Sequence, residues 1–284
     1  MRTRSNTLLD VAKLSVVIAR RYMQDYSHSK SPKKFTQAQL TACLILRAYL
    51  KTTYRGVIDV LDASEKLQEC LGLKSLPHYS TLKRFADRSD TTAIVDAMLA
   101  DIIGTIASDG EEVAIDSTGV EATSTSAYFQ ARSGRKQRRY VKLSVAVLAG
   151  TMMPASVVVS WGPCNDKAVA KPLLEKTKAV LQPKTLWADA GYDAEWVHQF
   201  CRDDWNVQSW IPPAVHRADG KVNGKHRSKM TPRRLKKNGY GKRWIVESFM
   251  SGLKRTTGAT LTARSEPALF TEALVRVLAY AIRR

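Results

Sequence analysis

The sequence predicts an all-α N-terminal domain followed by an α/β domain, and two observations carry that expectation. Residues 6–108 place apolar side chains at helical spacing, as in LTACLILRAYL and AIVDAMLADII, with little strand-like alternation. From Glu111 the texture changes to short β-branched runs bounded by Gly and Pro. The boundary is therefore set at 108/109, giving a helical domain over 1–108 and an α/β domain over 109–284.

Within the helical part, LKSLPHYSTLKRFADR has Pro77, then Ser80 as the expected N-cap, then a short helix bearing Lys83, Arg84 and Arg88. That shape suits a helix-turn-helix whose second helix enters a DNA groove. It equally suits a solvated basic helix. In the second part, EVAIDSTGVEA, YVKLSVAVLA and ASVVVSW read as strands, KAVAKPLLEKTKAVL as a helix, KTLWADAGYDAEW as a strand leading into a helix, and VQSWIPP as a final strand. Such an alternation makes an α/β layer. Residues 143–165 carry no charge and are long enough to span a bilayer. A central Gly150–Thr151 turn, Pro154 and β-branched flanks read instead as a buried hairpin, so no membrane partner is expected. Residues 216–243 hold eleven Lys or Arg and one Asp with no apolar period, and read as a basic loop.

Charge narrows the function. The chain of 284 residues carries a formal charge of +19 and a pI near 9.9, which points to a polyanionic partner, nucleic acid before membrane. Both parts are basic: 16 Lys and Arg against 10 Asp and Glu in 1–108, and 29 against 16 in the remainder. The four cysteines have neither CxxC spacing nor a histidine at zinc spacing, so no disulfide framework or structural zinc is implied, and a reducing cytoplasm fits. The first thirty residues lack a signal-peptide pattern.

Three carboxylates stand out. Val113, Ala114 and Ile115 deliver Asp116 within a strand; Leu186, Trp187 and Ala188 lead to Asp189, with Gly191 just beyond. Buried strand carboxylates are uncommon unless paired or metal-bound, although a strand-end Asp189 also reads as a cap on the next helix. Glu247 lies in RWIVESFMSGLKR among Arg243, Lys254 and Arg255. On a continuous helix Tyr240, Arg243, Glu247 and Lys254 fall within roughly 60° of one another, one polar stripe beside an apolar stripe of Val246, Phe249 and Leu253. An Arg243–Glu247 i,i+4 pair on a surface helix is the plainer account. Acids from separate elements with no nearby histidine suit hard cations, Mg²⁺ or Mn²⁺, and a two-ion site for phosphodiester chemistry uses such ligands. Asp166 and Asp193 read as helix caps. The run Arg132, Arg135, Lys136, Arg138, Arg139, together with Lys142, reads as contacts to a nucleic-acid backbone. The six tryptophans, all after residue 160, read as core, with one exposed member free to stack on a base.

The order Asp, Asp, Glu on strand, strand and helix resembles the ribonuclease-H-like DDE transposases. Tyr240, Arg243, Glu247 and Lys254 match the Y-x2-R-x3-E-x6-K signature of insertion-sequence transposases in all four letters, and the DST and ADAGYD contexts are similar. FTQAQLTACLILRAYLKTTYRGVIDVL resembles the helical N-terminal domain of the insertion-sequence-five-like branch. The likeness runs from about Phe35 to the C-terminus; the first thirty-odd residues match nothing in it.

The resemblance implies a ribonuclease-H-like catalytic domain in which Asp116, Asp189 and Glu247 bind two ions and Tyr240, Arg243 and Lys254 contact double-stranded DNA near the scissile end. It implies cleavage at an element's ends, then attack of the freed 3′-hydroxyl on target DNA, by a homodimer on DNA at the nucleoid. Arg233, Arg234, Lys236 and Lys237 in the basic loop are the expected sequence-independent DNA contacts, and Lys83 and Arg84 are expected DNA contacts on the helix that enters a groove. The 58 residues between Asp189 and Glu247 leave little room for a large inserted β-domain. A nuclease without strand transfer and an inactive transposase-derived DNA-binding protein remain open on the residues alone.

Overall fold

A computed structural model describes residues 7–108, 110–122, 140–214 and 221–284. The chain divides into two compact units. The first takes the N-terminal helices and, from far along the chain, residues 253–284; the second takes residues 100–119 and 139–252.

In the first unit the helices are α1 (Thr7–Tyr22), α2 (Gln37–Tyr49), α3 (Tyr54–Asp62), α4 (Glu65–Leu71), α5 (Tyr79–Ala86) and the start of α6 (Ser89–Ile106). Local chemistry starts several of them. Thr36 and Gln39 form a reciprocal capping box on α2, and Thr53 and Ser64 cap α3 and α4. The cap of α5 is His78, whose ring nitrogen accepts from the Ser80 amide, and not Ser80 itself. The last helix of the chain, Glu266–Arg283, buries most of its length against this unit, chiefly on α2.

A buried ionic network fastens that last helix. Glu272 pairs with Arg47 at 3.2 Å and Arg276 at 2.7 Å, and accepts from the amides of Thr262 and Ala263. Arg276 also donates to the carbonyls of Gly258 and Thr260. Burial alone would raise the Glu272 carboxyl, but the two guanidinium groups and the two amides outweigh it and hold it below the usual glutamate range.

The second unit is built on a mixed sheet whose strands are β1 (Glu112–Ala122), β2 (Tyr140–Leu148), β3 (Pro154–Gly162), β4 (Thr185–Ala188) and β5 (Gln208–Trp210), in the order β3-β2-β1-β4-β5. β2 and β3 form the expected antiparallel hairpin around the 149–151 turn, and β4 and β5 run parallel to β1. The far end of β1, Glu121–Ala122, belongs to the first unit, where it pairs with a two-residue strand β6 (Thr260–Leu261). Helix α7 (Asp166–Val180) packs Val169, Ala170, Leu173 and Leu174 onto β2 and β3, so β2 is buried along nearly its whole length. Asn165, not Asp166, caps α7 by accepting from the Lys167 amide. Between β4 and β5 lies α8 (Glu195–Gln199), continued by a π-turn over Phe200–Asp204.

Beyond β5 the basic segment is more ordered than a loop. It contains a 3₁₀ turn (Arg227–Lys229), a helix α9 (Pro232–Lys237) capped by Thr231, and a 3₁₀ turn (Tyr240–Arg243) that feeds α10 (Trp244–Thr257). The final helix, Glu266–Arg283, is α11. The expected loop residue His216 and the run Arg132–Arg139 up to residue 139 lie outside the described residues. No helix among the described residues is long and apolar enough to cross a membrane.

Candidate active site

The sheet register brings the first two acids together. Ile115 of β1 stands opposite Ala188 of β4 in a parallel pair, so Asp116 and Asp189 occupy the next position on each. Residues level across a parallel pair point to the same face, about 4.8 Å apart along the hydrogen-bonding direction. Their proximity is felt electrostatically: burial raises the Asp116 carboxyl first, the Asp189 charge raises it further, and the Ser117 amide and Arg243 only partly offset this.

Arg243 is the hub. Its Nη1 donates to Asp116 Oδ2 at 3.0 Å and its Nη2 pairs with Glu247 Oε1. The plain i,i+4 ion pair therefore exists, and the same guanidinium reaches across 127 residues of sequence to the strand acid. Tyr240 is half-buried in the same surroundings. Burial raises its phenol, Arg243 opposes this, and the Asp189 and Asp116 charges add to the rise. Tyr240 and Arg243 lie on the 3₁₀ turn preceding α10 rather than on one continuous α-helix with Glu247. Lys254 is two turns beyond Glu247 on α10, about 10 Å along its axis.

Asp189 makes the capping contact as well: its Oδ1 accepts from the Gly191 amide at 2.9 Å. A Cβ at 191 would lie 2.8 Å from Asp166 Oδ2 and 2.9 Å from Asp189 Oδ1, so any larger residue there would push one of these carboxylates aside. Asp166 thus borders the same turn. It is paired at 2.8 Å with the buried Lys142 ammonium, which also donates to the Cys164 carbonyl. Lys142 is accordingly an internal ion-pair partner, not an exposed contact. Beneath Asp116, Ser117 Oγ lies 2.7 Å from both Ser144 Oγ and Tyr192 Oη, which sets the start of the turn against β1 and β2.

The basic segment is pinned by residues that the sequence reading took for caps or passed over. Asp193, fully buried, receives a two-pronged contact from Arg227 (2.8 and 2.6 Å) and the Ala214 amide at 2.8 Å. Glu195 accepts from the amides of His226 and Arg227. On α9 only Leu235 turns inward, leaving Arg233, Arg234, Lys236 and Lys237 exposed. Trp187 Nε1 donates to the Asn238 carbonyl at 3.0 Å, and Lys242 pairs with Glu112. Of the tryptophans, Trp187 and Trp205 are core, while Trp196 on α8 and Trp244, beside Arg243, are both exposed. Lys83 and Arg84 belong to the first unit, exposed on α5, where Lys83 pairs with Asp87.

Among the described residues no three His, Cys, Asp or Glu side chains converge into a ready-made metal cluster. The donor set nevertheless fits a hard cation in chemistry: it is all carboxylate oxygen, and a guanidinium already bridges two of its members.

Strand order and connections make a mixed α/β layer with Asp116 on β1 and Asp189 just past the end of the neighbouring β4. Residues 107–282 match the family model of the transposase DDE domain, and the chain belongs to that family. No curated relative matches. The fold is also similar to a chain in the cryo-EM structure of a piggyBac transposase synaptic complex with hairpin DNA, at 8% identity and a TM-score of 0.49, covering 98% of this chain and 72% of that one.

Proposed function

We propose that this chain is an insertion-sequence transposase of the branch bearing the Y-x2-R-x3-E-x6-K signature, cutting DNA at the element's ends and joining the freed 3′-hydroxyls to target DNA. The observation that carries the reading is the placement of Asp116 and Asp189 at level positions on β1 and β4, with Arg243 tying Asp116 to Glu247. Asp116, Asp189 and Glu247 are the residues that would hold Mg²⁺ or Mn²⁺, two ions in this reading. Ions held by these residues would supply charge stabilisation for phosphodiester chemistry.

The chain's own residues do the rest. Arg243 holds two of the acids in place and, once released from either, presents a fork suited to a phosphate. Tyr240 and Lys254 flank the same strand of DNA, and the exposed cations of α9 bind its backbone without reading sequence. Both ends must be brought together, so the working form is a homodimer on double-stranded DNA.

The test uses a labelled duplex carrying a terminal repeat, a supercoiled target and Mg²⁺. Wild type should yield both cleaved ends and joined products. Asp116→Asn, Asp189→Asn and Glu247→Gln should each abolish both while end binding persists. Cleavage at near wild-type rate in any of the three would remove that residue from the triad. Cleaved ends that never join would make the chain a nuclease instead.

A further inference from the structure

The first unit contains a cavity of about 370 Å³ between the start of α3, the exposed face of α5 and the 262–268 segment that leads into α11. Its mouth is cationic. Arg55, Lys83 and Arg264 line it against a single carboxylate, Asp87. Asp87 is already engaged, paired with Lys83 at 2.9 Å and accepting from Ser265 Oγ. Arg55 and Arg264 have no carboxylate partner among the described residues; Arg55 lies instead over the Tyr79 ring, 4.2 Å from its centroid. The wall holds an unsatisfied group. Tyr54 Oη is buried and makes no hydrogen bond, while its ring is covered on one side by Arg47 at 4.1 Å.

These features ask for one kind of ligand. A buried hydroxyl without a partner is unfavourable until one reaches it, and Tyr54 belongs to the cavity's lining, so an occupant with polar atoms is favoured. Unpaired guanidinium groups at the mouth favour an anion. A volume at the lower end of the range for organic-ligand sites is too large for phosphate alone and sufficient for a nucleobase with its sugar. The Arg55–Tyr79 stack offers a flat cationic surface on which a base can lie.

We propose that this cavity receives one unpaired nucleotide of bound DNA: the base enters against the Arg55–Tyr79 stack and hydrogen-bonds Tyr54 Oη, while Arg264 holds the adjoining phosphate. The proposal rests on the reading of the chain as a DNA transposase, and adds a site in the helical unit separate from the three acids. It also gives α5 a role other than groove insertion.

Anisotropy with the full chain tests it, using a duplex with a single unpaired 2-aminopurine and its fully paired counterpart at one salt concentration. The unpaired duplex should bind about tenfold tighter, the order expected for one stacked base, with 2-aminopurine emission changing on binding. Arg55→Ala, Arg264→Ala and the conservative Tyr54→Phe should each reduce that preference severalfold. Tyr54→Phe should leave affinity for the paired duplex unchanged. A preference equal in all three variants and wild type, or no preference while paired DNA binds tightly, overturns the cavity assignment and leaves the transposase reading intact. Failure to bind either duplex overturns both. Cleavage that depends on Asp116 in the same preparation tells whether the transposase reading stands independently of the cavity.

Discussion

Replacing Arg227 by Ala should both destabilise the second unit and release the basic segment that precedes α9. Asp193 has no side-chain solvent exposure, and among the described residues Arg227 supplies two of the three hydrogen bonds to its carboxylate, the third coming from the Ala214 amide. Removing one partner of a buried pair costs about 3–5 kcal/mol because the remaining charge is left uncompensated. The lower end applies here, since the Arg227 side chain is one-fifth exposed and the Ala214 amide remains. About 3 kcal/mol corresponds to a fall in Tm of roughly 6–12 °C for a chain of this size. Thermal denaturation at pH 7 reads the first effect, and hydrogen exchange over 221–230 reads the second. Arg227→Lys should recover less than half of the loss, because an ammonium cannot reproduce the fork on both carboxylate oxygens. Asp193→Asn combined with Arg227→Ala should recover more, since it removes the stranded charge. If Arg227→Ala melts within about 1 °C of wild type with 221–230 equally protected, Asp193 does not anchor this segment.

The remaining predictions concern charge. His198 is fully buried with Nδ1 against Ser209 Oγ at 2.8 Å, and burial first, then the Arg202 charge, lowers its pKa from 6.5 to about 4. A depressed histidine favours the neutral fold, so its contribution is complete above pH 6.5 and is lost as the pH falls towards 4. The change is about 3 kcal/mol, and melts of His198→Gln should show a flatter pH dependence over that window than wild type; superimposable slopes would refute it. Arg243→Ala should slow cleavage yet tighten Mn²⁺ binding in calorimetry severalfold, because the guanidinium that occupies Asp116 and Glu247 is gone, whereas Lys254→Ala should leave Mn²⁺ affinity unaltered. Equal shifts in the two variants would show that Arg243 does not compete with a cation.

Where the sequence was legible, local rules and burial agreed. The strand EVAIDSTGVEA was read at the bounds it adopts, Glu112–Ala122, and the uncharged 143–165 stretch folds as the hairpin that its central turn required. The continuous helical stripe from Tyr240 was not legible: Gly239 adopts φ +72° and begins a 3₁₀ turn, so the 3.6-residue period starts only at Trp244. Helix α9 was missed because six residues supply a single inward side chain, Leu235, and hence no period; Thr231 followed by Pro232 was the available sign of its start. Asp193 was read as a cap because its partner lies 34 residues away, a distance over which spacing carries no information. The cap on α5 escaped because an imidazole nitrogen took the place of the usual hydroxyl or carboxylate.

The same contrast gives weight to the acids. Local rules disfavour two carboxylates level on adjacent strands, since like charges there repel, and burial compounds the cost for Asp116. A fold chosen for stability alone would place Val or Thr at one of these positions. Arg243 offsets the cost only in part, since its one guanidinium is shared between Asp116 and Glu247. Among the described residues, the neighbouring ammonium groups of Lys142 and Lys242 are engaged elsewhere, with Asp166 and Glu112. In the proposed site a divalent cation would balance such hard oxygen donors. A bound phosphate would add negative charge, which a second ion or a freed Arg243 would meet. Glu272 and Asp193, by contrast, are each matched by guanidinium groups, and that difference supports the ion-binding role proposed for the acids on β1 and α10.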